Sequence, residues 1–363
     1  MNCACLILTN KSGALREVES GAVSVLENAG YDLSEIRLFR RFDESLFMLA
    51  VQDCKQSFDN IFVFVHGYSL SVIAHSLAVA FGKEYFRTSA EGAGIFTEGE
   101  KTLFLMPNED ESYVQEICLP YLEKKYGARV GCLVFRCVGV EAGRMQILLS
   151  QAENFAMGKV RIRCEGAFGE DVVRIFYNEQ TPRMLTDDLV RFFAKELDDN
   201  LYALEDKTLE KQLIDLLRLR RKTICVAESF TGGGIAKKIV SVSGASDVYH
   251  EGLNTYADLA KMQRLGVSEF TLRSNGAVSE QTAYEMAAGL LQQGNCDVAI
   301  ATTGLAGPND DGSGVPIGTC YIAVGIDGNV YVYRYVLQGD REEITETAVR
   351  YALFLACKQL KNM

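Results

Sequence analysis

The sequence has few of the features that would place it quickly. It holds three histidines, His66, His75 and His250, and they do not cluster with one another or with the cysteines. Eleven cysteines are present, yet no two show the two-residue spacing of a zinc ribbon or a thiol redox motif. Most lie in apolar, strand-like runs (Cys3, Cys5, Cys132, Cys137, Cys164, Cys225, Cys320), which reads as buried, reduced thiols of a cytoplasmic protein. No uninterrupted apolar run approaches the length needed to cross a membrane. The first 30 residues lack a basic segment followed by an apolar stretch, so no signal peptide is expected. Positive charge is also short. The formal net charge is −11, which argues against nucleic acid or an anionic membrane as the main partner. No internal repeat or low-complexity segment is visible.

What is present is an ordinary globular composition over 363 residues, enough for two or three domains. Residues 1–155 alternate strand and helix patterns. Cys3–Thr9, Asn60–Val65, Thr102–Met106 and Gly131–Val138 read as buried strands. Glu17–Ala29 and Glu109–Tyr126 read as helices. Such alternation predicts a doubly wound, mostly parallel sheet. Residues 156–204 read as a small α+β unit: two strands, Lys159–Glu165 and Asp171–Tyr177, around a Gly-Ala-Phe-Gly turn, then a helix from Leu185 to Leu197. Five carboxylates between Glu196 and Asp206 suggest a solvated linker.

Residues 205–363 form a third, α/β unit. A helix buries Leu209, Leu213, Leu216 and Leu217. A strand, Thr223–Ala227, runs into Ser229, a glycine-rich turn and a helix from Ile235 to Val242. A serine at such a turn has free backbone N–H groups beside it, so it suits a phosphate site or a nucleophile with an oxyanion hole. It equally suits an N-cap serine with glycines for close packing. Tyr249–Tyr256 reads as extended, Ala257–Leu265 and Ser279–Gln293 as helices, and Asp297–Thr303 as a buried strand. A hairpin turns at Asp327-Gly328-Asn329, and a last helix starts at Asp340 with Glu343 completing a capping box.

Four polar clusters fall at strand ends or loops of this unit: Glu228–Thr231, Asn254–Tyr256 with Lys261, Thr302–Gly304, and Gly339–Arg341. Ligands of open α/β sheets collect at the carboxyl ends of the strands. A serine nucleophile needs a base. His250 is the one histidine near in sequence; Lys261 is the other choice, if burial depresses its pKa, and its plain alternative is a surface helix lysine.

Six ordered stretches carry a resemblance. They are Ala-Glu-Ser-Phe-Thr-Gly-Gly (227–233), Thr-Tyr-Ala-Asp-Leu-Ala-Lys (255–261), Gly-Ala-Val-Ser-Glu (276–280), Thr-Gly-Leu-Ala-Gly-Pro (303–308), Pro-Ile-Gly-Thr (316–319) and Gly-Asp-Arg (339–341). Over about 155 residues the third unit resembles the C-terminal domain of the CinA family, a nicotinamide-nucleotide amidohydrolase. The resemblance implies deamidation of nicotinamide mononucleotide without metal or other cofactor. It implies Ser229 as nucleophile and Lys261 as base. Amides near Thr231 and Gly232 would hold the oxyanion, Tyr256 and Thr303 would line the site, and Arg341 would hold the substrate phosphate. It further implies a homodimer whose partner is otherwise a small pyridine nucleotide. Phe230 departs from the family's usual cysteine, which predicts altered packing, and the loop Asn309–Gly314 differs in detail.

The first 200 residues resemble the rest of the family's layout more weakly, through Thr-Leu-Phe-Leu-Met-Pro-Asn (102–108), Leu-Pro-Tyr-Leu (119–122) and Val-Phe-Arg-Cys-Val-Gly-Val (134–140). That layout implies a molybdopterin-binding-like first domain that cleaves ADP-ribose with a divalent metal. Here the glycine run and paired aspartates are replaced by Val65-His66-Gly67-Tyr68-Ser69-Leu70-Ser71-Val72, and Gly-Asp-Glu by Asn10-Lys11-Ser12. Without carboxylates a metal–phosphate site lacks its ligands, so a silent first domain is expected. The competing expectations are a pocket that binds nucleotide without turning it over, and a surviving ADP-ribose pyrophosphatase.

Overall fold

The computed structural model describes residues 2–10, 19–81, 84–107, 111–127, 129–293, 295–309, 312 and 314–363. The chain divides into two compact units, Met1–Val130 and Gly131–Met363.

The first unit holds β1 (Asn2–Thr9), α1 (Ser24–Asn28), β2 (Asp32–Phe39), α2 (Glu44–Ser57), β3 (Asn60–His66), α3 (Leu70–Phe81), β4 (Glu84–Arg87), β5 (Gly94–Glu98), β6 (Lys101–Pro107) and α4 (Leu119–Tyr126). The sheet runs β2-β1-β3-β6-β5-β4; its first four strands are parallel, and β5 and β4 are antiparallel. The apolar run of β3 is buried on both faces, as a central parallel strand requires. In α2, Phe47, Ala50, Val51 and Cys54 line one face at helical spacing, and Asp43 caps the start by accepting from the Leu46 amide at 3.1 Å. The helix expected over 17–29 is broken. Its described part winds in wide π-type turns over Glu19–Val23, with Gly21 outside helical dihedrals, before α1 resumes.

The second unit contains two sheets. The smaller has β7 (Arg129–Val138), α5 (Ala142–Ala156), β8 (Arg161–Ala167), β9 (Glu170–Asn178), α6 (Arg183–Leu197) and β10 (Leu201–Ala203), in the order β10-β7-β9-β8. Phe135, Cys137, Met145, Leu148, Ile175, Leu189 and Phe193 make its core. This revises the expected boundary at 155. Strand β7 and helix α5, assigned above to the first domain, pack with β8 and β9 instead. The acidic stretch keeps most of its carboxylates in solvent, but it belongs to the fold and is not a linker. Tyr202 is buried, and Asp206 lies against two arginines, 3.1 Å from Arg136 Nε and 3.1 Å from Arg174 Nη2. Glu170 joins them, 3.0 Å from Arg136 Nη1.

The larger sheet follows: α7 (Leu209–Arg220), β11 (Ile224–Glu228), α8 (Gly234–Val240), β12 (Tyr249–Asn254), α9 (Asp258–Leu265), α10 (Glu269–Asn275), α11 (Glu280–Gln292), β13 (Val298–Gly304), β14 (Thr319–Ile326), β15 (Asn329–Val336) and α12 (Arg341–Lys361). Strand order is β12-β11-β13-β14-β15, with the first three parallel. Side-chain alternation sorts the two faces. Ile224, Val226 and Ile300 meet Leu213, Ile235 and Leu353 of α7, α8 and α12. Cys225, Ala227, Ala299 and Ala301 meet Ala283, Met286, Ala287 and Leu290 of α11. That second face is built from small residues, so α11 comes close. At Gly289 an added Cβ would stand 2.0 Å from the Leu265 carbonyl oxygen. The last helix starts on the expected capping box, with Asp340 and Glu343 each accepting the other's amide at 2.9 and 2.8 Å.

Candidate active site

The parallel strands β11 and β12 end at Glu228 and Asn254, level with Thr302 near the end of β13. The chain then turns at each end, and these turns gather the polar clusters seen in the sequence. The Ser229 amide donates to Thr302 O at 3.1 Å, and the Thr255 amide to Glu228 O at 2.8 Å, so the strand pairing continues one residue into each loop.

Ser229 is 7% exposed and Lys261 1% exposed. Lys261 Nζ lies 3.2 Å from Ser229 Oγ and donates to Tyr256 O at 2.9 Å. Helix α9 delivers this lysine inward from its second turn; the plain alternative, a surface lysine, is excluded by its burial. Desolvation pushes the Lys261 pKa below the ordinary lysine range, opposed by Asp258, whose carboxylate is 3.9 Å away and mostly exposed. A lysine so placed is more often neutral than one in water, and only the neutral amine can accept a proton. His250, the other candidate base, is exposed on β12 and makes no bond to Ser229 among the described residues.

The turn after Ser229 is held by a side chain to which the sequence reading gave no role. Glu228, 1% exposed, accepts three backbone amides: Gly233 at 3.0 Å and Ile235 at 3.1 Å on Oε2, and Ala236 at 2.8 Å on Oε1. The start of α8 is thereby satisfied by this carboxylate, and Ser229 is not its N-cap; Gly233, at φ 98°, is. The expected oxyanion donors divide. The Gly232 amide is committed to Ser229 O at 3.2 Å, whereas the Thr231 and Phe230 amides have no acceptor among the described residues. The Thr231 hydroxyl pairs with that of Thr302 at 2.8 Å.

The other expected residues are spread around this centre. Tyr256 contributes its carbonyl to Lys261, while the residue as a whole is 66% exposed. Thr303 donates to Ala277 O at 2.6 Å, tying the start of the 276–280 segment to the end of β13. Arg341, at the first turn of α12, bonds through Nη1 to Gly307 O in the loop after β13. Phe230 is buried against Ala306, Cys320, Ile344 and Ala348, so the departure from cysteine is absorbed as core packing. Within the loop Asn309–Gly314, residues 310, 311 and 313 lie outside the described residues, as do Lys11 and Ser12 in the first unit. No group of three His, Cys, Asp or Glu suited to a metal ion occurs among the described residues. No helix of the described residues is long and apolar enough to cross a membrane.

Comparison with known proteins covers much of the chain. The family model of the CinA C-terminal domain matches residues 206–360. A competence-damage inducible protein of Caldicellulosiruptor saccharolyticus is 33% identical over 279 residues, 76% of this chain and 68% of that protein. A CinA-like protein of Kosmotoga olearia is 32% identical over 274 residues, 74% of this chain and 66% of its own length. The alignments thus span about two thirds of these relatives. A solved structure of competence damage-inducible protein A from Klebsiella pneumoniae matches at 35% identity over 42% of this chain and 95% of that one, with a TM-score of 0.41. On the extent of these sequence matches, the chain belongs to the CinA family.

Proposed function

We propose that the chain hydrolyses the carboxamide of nicotinamide mononucleotide, giving nicotinic acid mononucleotide and ammonia. The observation that carries this reading is the buried 3.2 Å contact between Lys261 Nζ and Ser229 Oγ, with a lysine whose protonated form is disfavoured. Neutral Lys261 takes the Ser229 proton as Oγ attacks the amide carbon. The tetrahedral oxyanion is met by the amides of Thr231 and Phe230, which have no acceptor among the described residues. Lys261 then protonates the leaving nitrogen, which departs as ammonia. Water attacks the acyl-serine, gives its proton to Lys261, and Ser229 recovers a proton as the acid leaves. The scheme uses no metal or cofactor. Tyr256 and Thr303 border the site, and the donors of Arg341 not spent on Gly307 O are suited to the substrate phosphate.

The first unit takes no part in this reading. At the ends of β1 and β3, Asn10 Nδ2 donates to Gly67 O at 3.2 Å, and its side chain fills the space beside Gly67. A homodimer belongs to the same proposal through the family resemblance; sedimentation of the purified chain tests it. A non-catalytic nucleotide-binding module is the second reading. The altered motifs of the first unit and Phe230 in the turn after Ser229 motivate it; Phe230 itself packs against Ala306, Cys320, Ile344 and Ala348. The test is ammonia release from nicotinamide mononucleotide by wild type and Ser229→Ala: turnover confined to wild type supports hydrolysis by Ser229, and equal turnover overturns it.

A further inference from the structure

We infer that Glu228 is a positioning residue that sets both members of the Ser229–Lys261 pair. This rests on the serine reading above and adds a role for a buried carboxylate that the reaction scheme leaves idle.

A carboxylate held at 1% exposure is costly unless its oxygens are fully bonded. Here both are, and all three partners are backbone amides of the turn and helix that follow Ser229. Two of the turn residues, Gly232 at φ 61° and Gly233 at φ 98°, sit in the left-handed region that lets the chain fold back over the carboxylate. The side chain of residue 228 therefore fixes the path of residues 230–236. With that path fixed, the amides of Phe230 and Thr231 are left without an acceptor among the described residues.

The backbone of the same residue works in the other direction. Glu228 O accepts the Thr255 amide at 2.8 Å. Thr255 precedes Tyr256, whose carbonyl accepts Lys261 Nζ. One residue thus reaches the nucleophile by its peptide link, the oxyanion donors by its side chain, and the base through Thr255 and Tyr256. A shift of about 1 Å in any of these is enough to cost a large factor in rate.

Two variants of the full chain separate geometry from charge. Glu228→Gln keeps the shape but turns an NH2 group toward one of the three amides. Glu228→Asp keeps the charge but is one methylene too short to reach all three. In both, amide hydrogen exchange across residues 230–236 is expected to speed up at least about tenfold. For both, kcat for ammonia release should fall about 10- to 100-fold, with KM within about threefold of wild type. Exchange unchanged in both folded variants would overturn the inference, and so would faster exchange with kcat unchanged. Loss of kcat in Glu228→Gln alone would also overturn it, since charge rather than reach would then be what matters. If wild type releases no ammonia, the amidase reading fails by itself, and the exchange measurement still decides whether Glu228 holds the turn.

Discussion

The two units place the ends of parallel strands in comparable positions and fill them differently. In the first, β1 and β3 end on Asn10 and Gly67, which bond to each other, and the next turn offers Ser69 and Ser71, bonded to one another at 2.8 Å. In the second, β11 and β12 end on Ser229 and the loop leading to Lys261, and the two side chains meet in a buried site. The first arrangement satisfies its polar groups locally. The second leaves the Ser229 hydroxyl against a desolvated amine, beside two amides that have no acceptor among the described residues. Parallel topology provides the location; the side chains decide whether chemistry follows.

The sharpest way to break that comparison is to remove the pair itself. Ser229→Ala or Lys261→Ala should lower kcat for nicotinamide mononucleotide by about 10⁴-fold, read as ammonia release. A smaller effect is expected from Gly289→Ala. Its Cβ would meet the Leu265 carbonyl, moving the end of the helix that carries Lys261. We expect a loss of about 1–3 kcal/mol in urea unfolding and a fall of about tenfold in kcat.

The pH profile tests the base. In the proposed mechanism Lys261 acts when neutral, and burial lowers its pKa, so kcat/KM should rise with pH through a midpoint below the ordinary lysine value and then level off. Asp258 opposes that shift, so Asp258→Asn should move the rise to lower pH. The movement should be small, because Asp258 is mostly exposed. The smallest effect is expected in the first unit. Asn10→Ala should leave ammonia release within about twofold of wild type, and neither form should cleave ADP-ribose with added magnesium.

Much of the second unit could be read locally. The apolar run before Ser229, the glycines after it, the Asp327-Gly328-Asn329 hairpin and the Asp340/Glu343 box are signals written within a few residues. The Ser229–Lys261 pairing came from family motifs, and the distance came only with the fold. Other features depend on partners far away in the chain. The apolar run of β7 looks the same whichever sheet it joins, and its place beside β9 and β10 is a matter of long-range pairing. Asp206 read as linker because Arg136 and Arg174, which face it, lie 70 and 32 residues away. Strand β2 escaped notice because it is an edge strand alternating half-buried and exposed residues, Ser34 to Phe39, with charges among them. The role of Glu228 was hidden for a related reason. An acidic residue before a helix is a familiar N-terminal signal, but three amides on one carboxylate require a turn that only the positive φ angles of Gly232 and Gly233 permit.

The most direct test is ammonia release from nicotinamide mononucleotide by the purified chain with EDTA present, beside Lys261→Ala. The account predicts turnover in the wild type that persists in EDTA and is lost in the variant. Undiminished turnover in Lys261→Ala, or a wild type that binds the nucleotide and releases no ammonia, would contradict it.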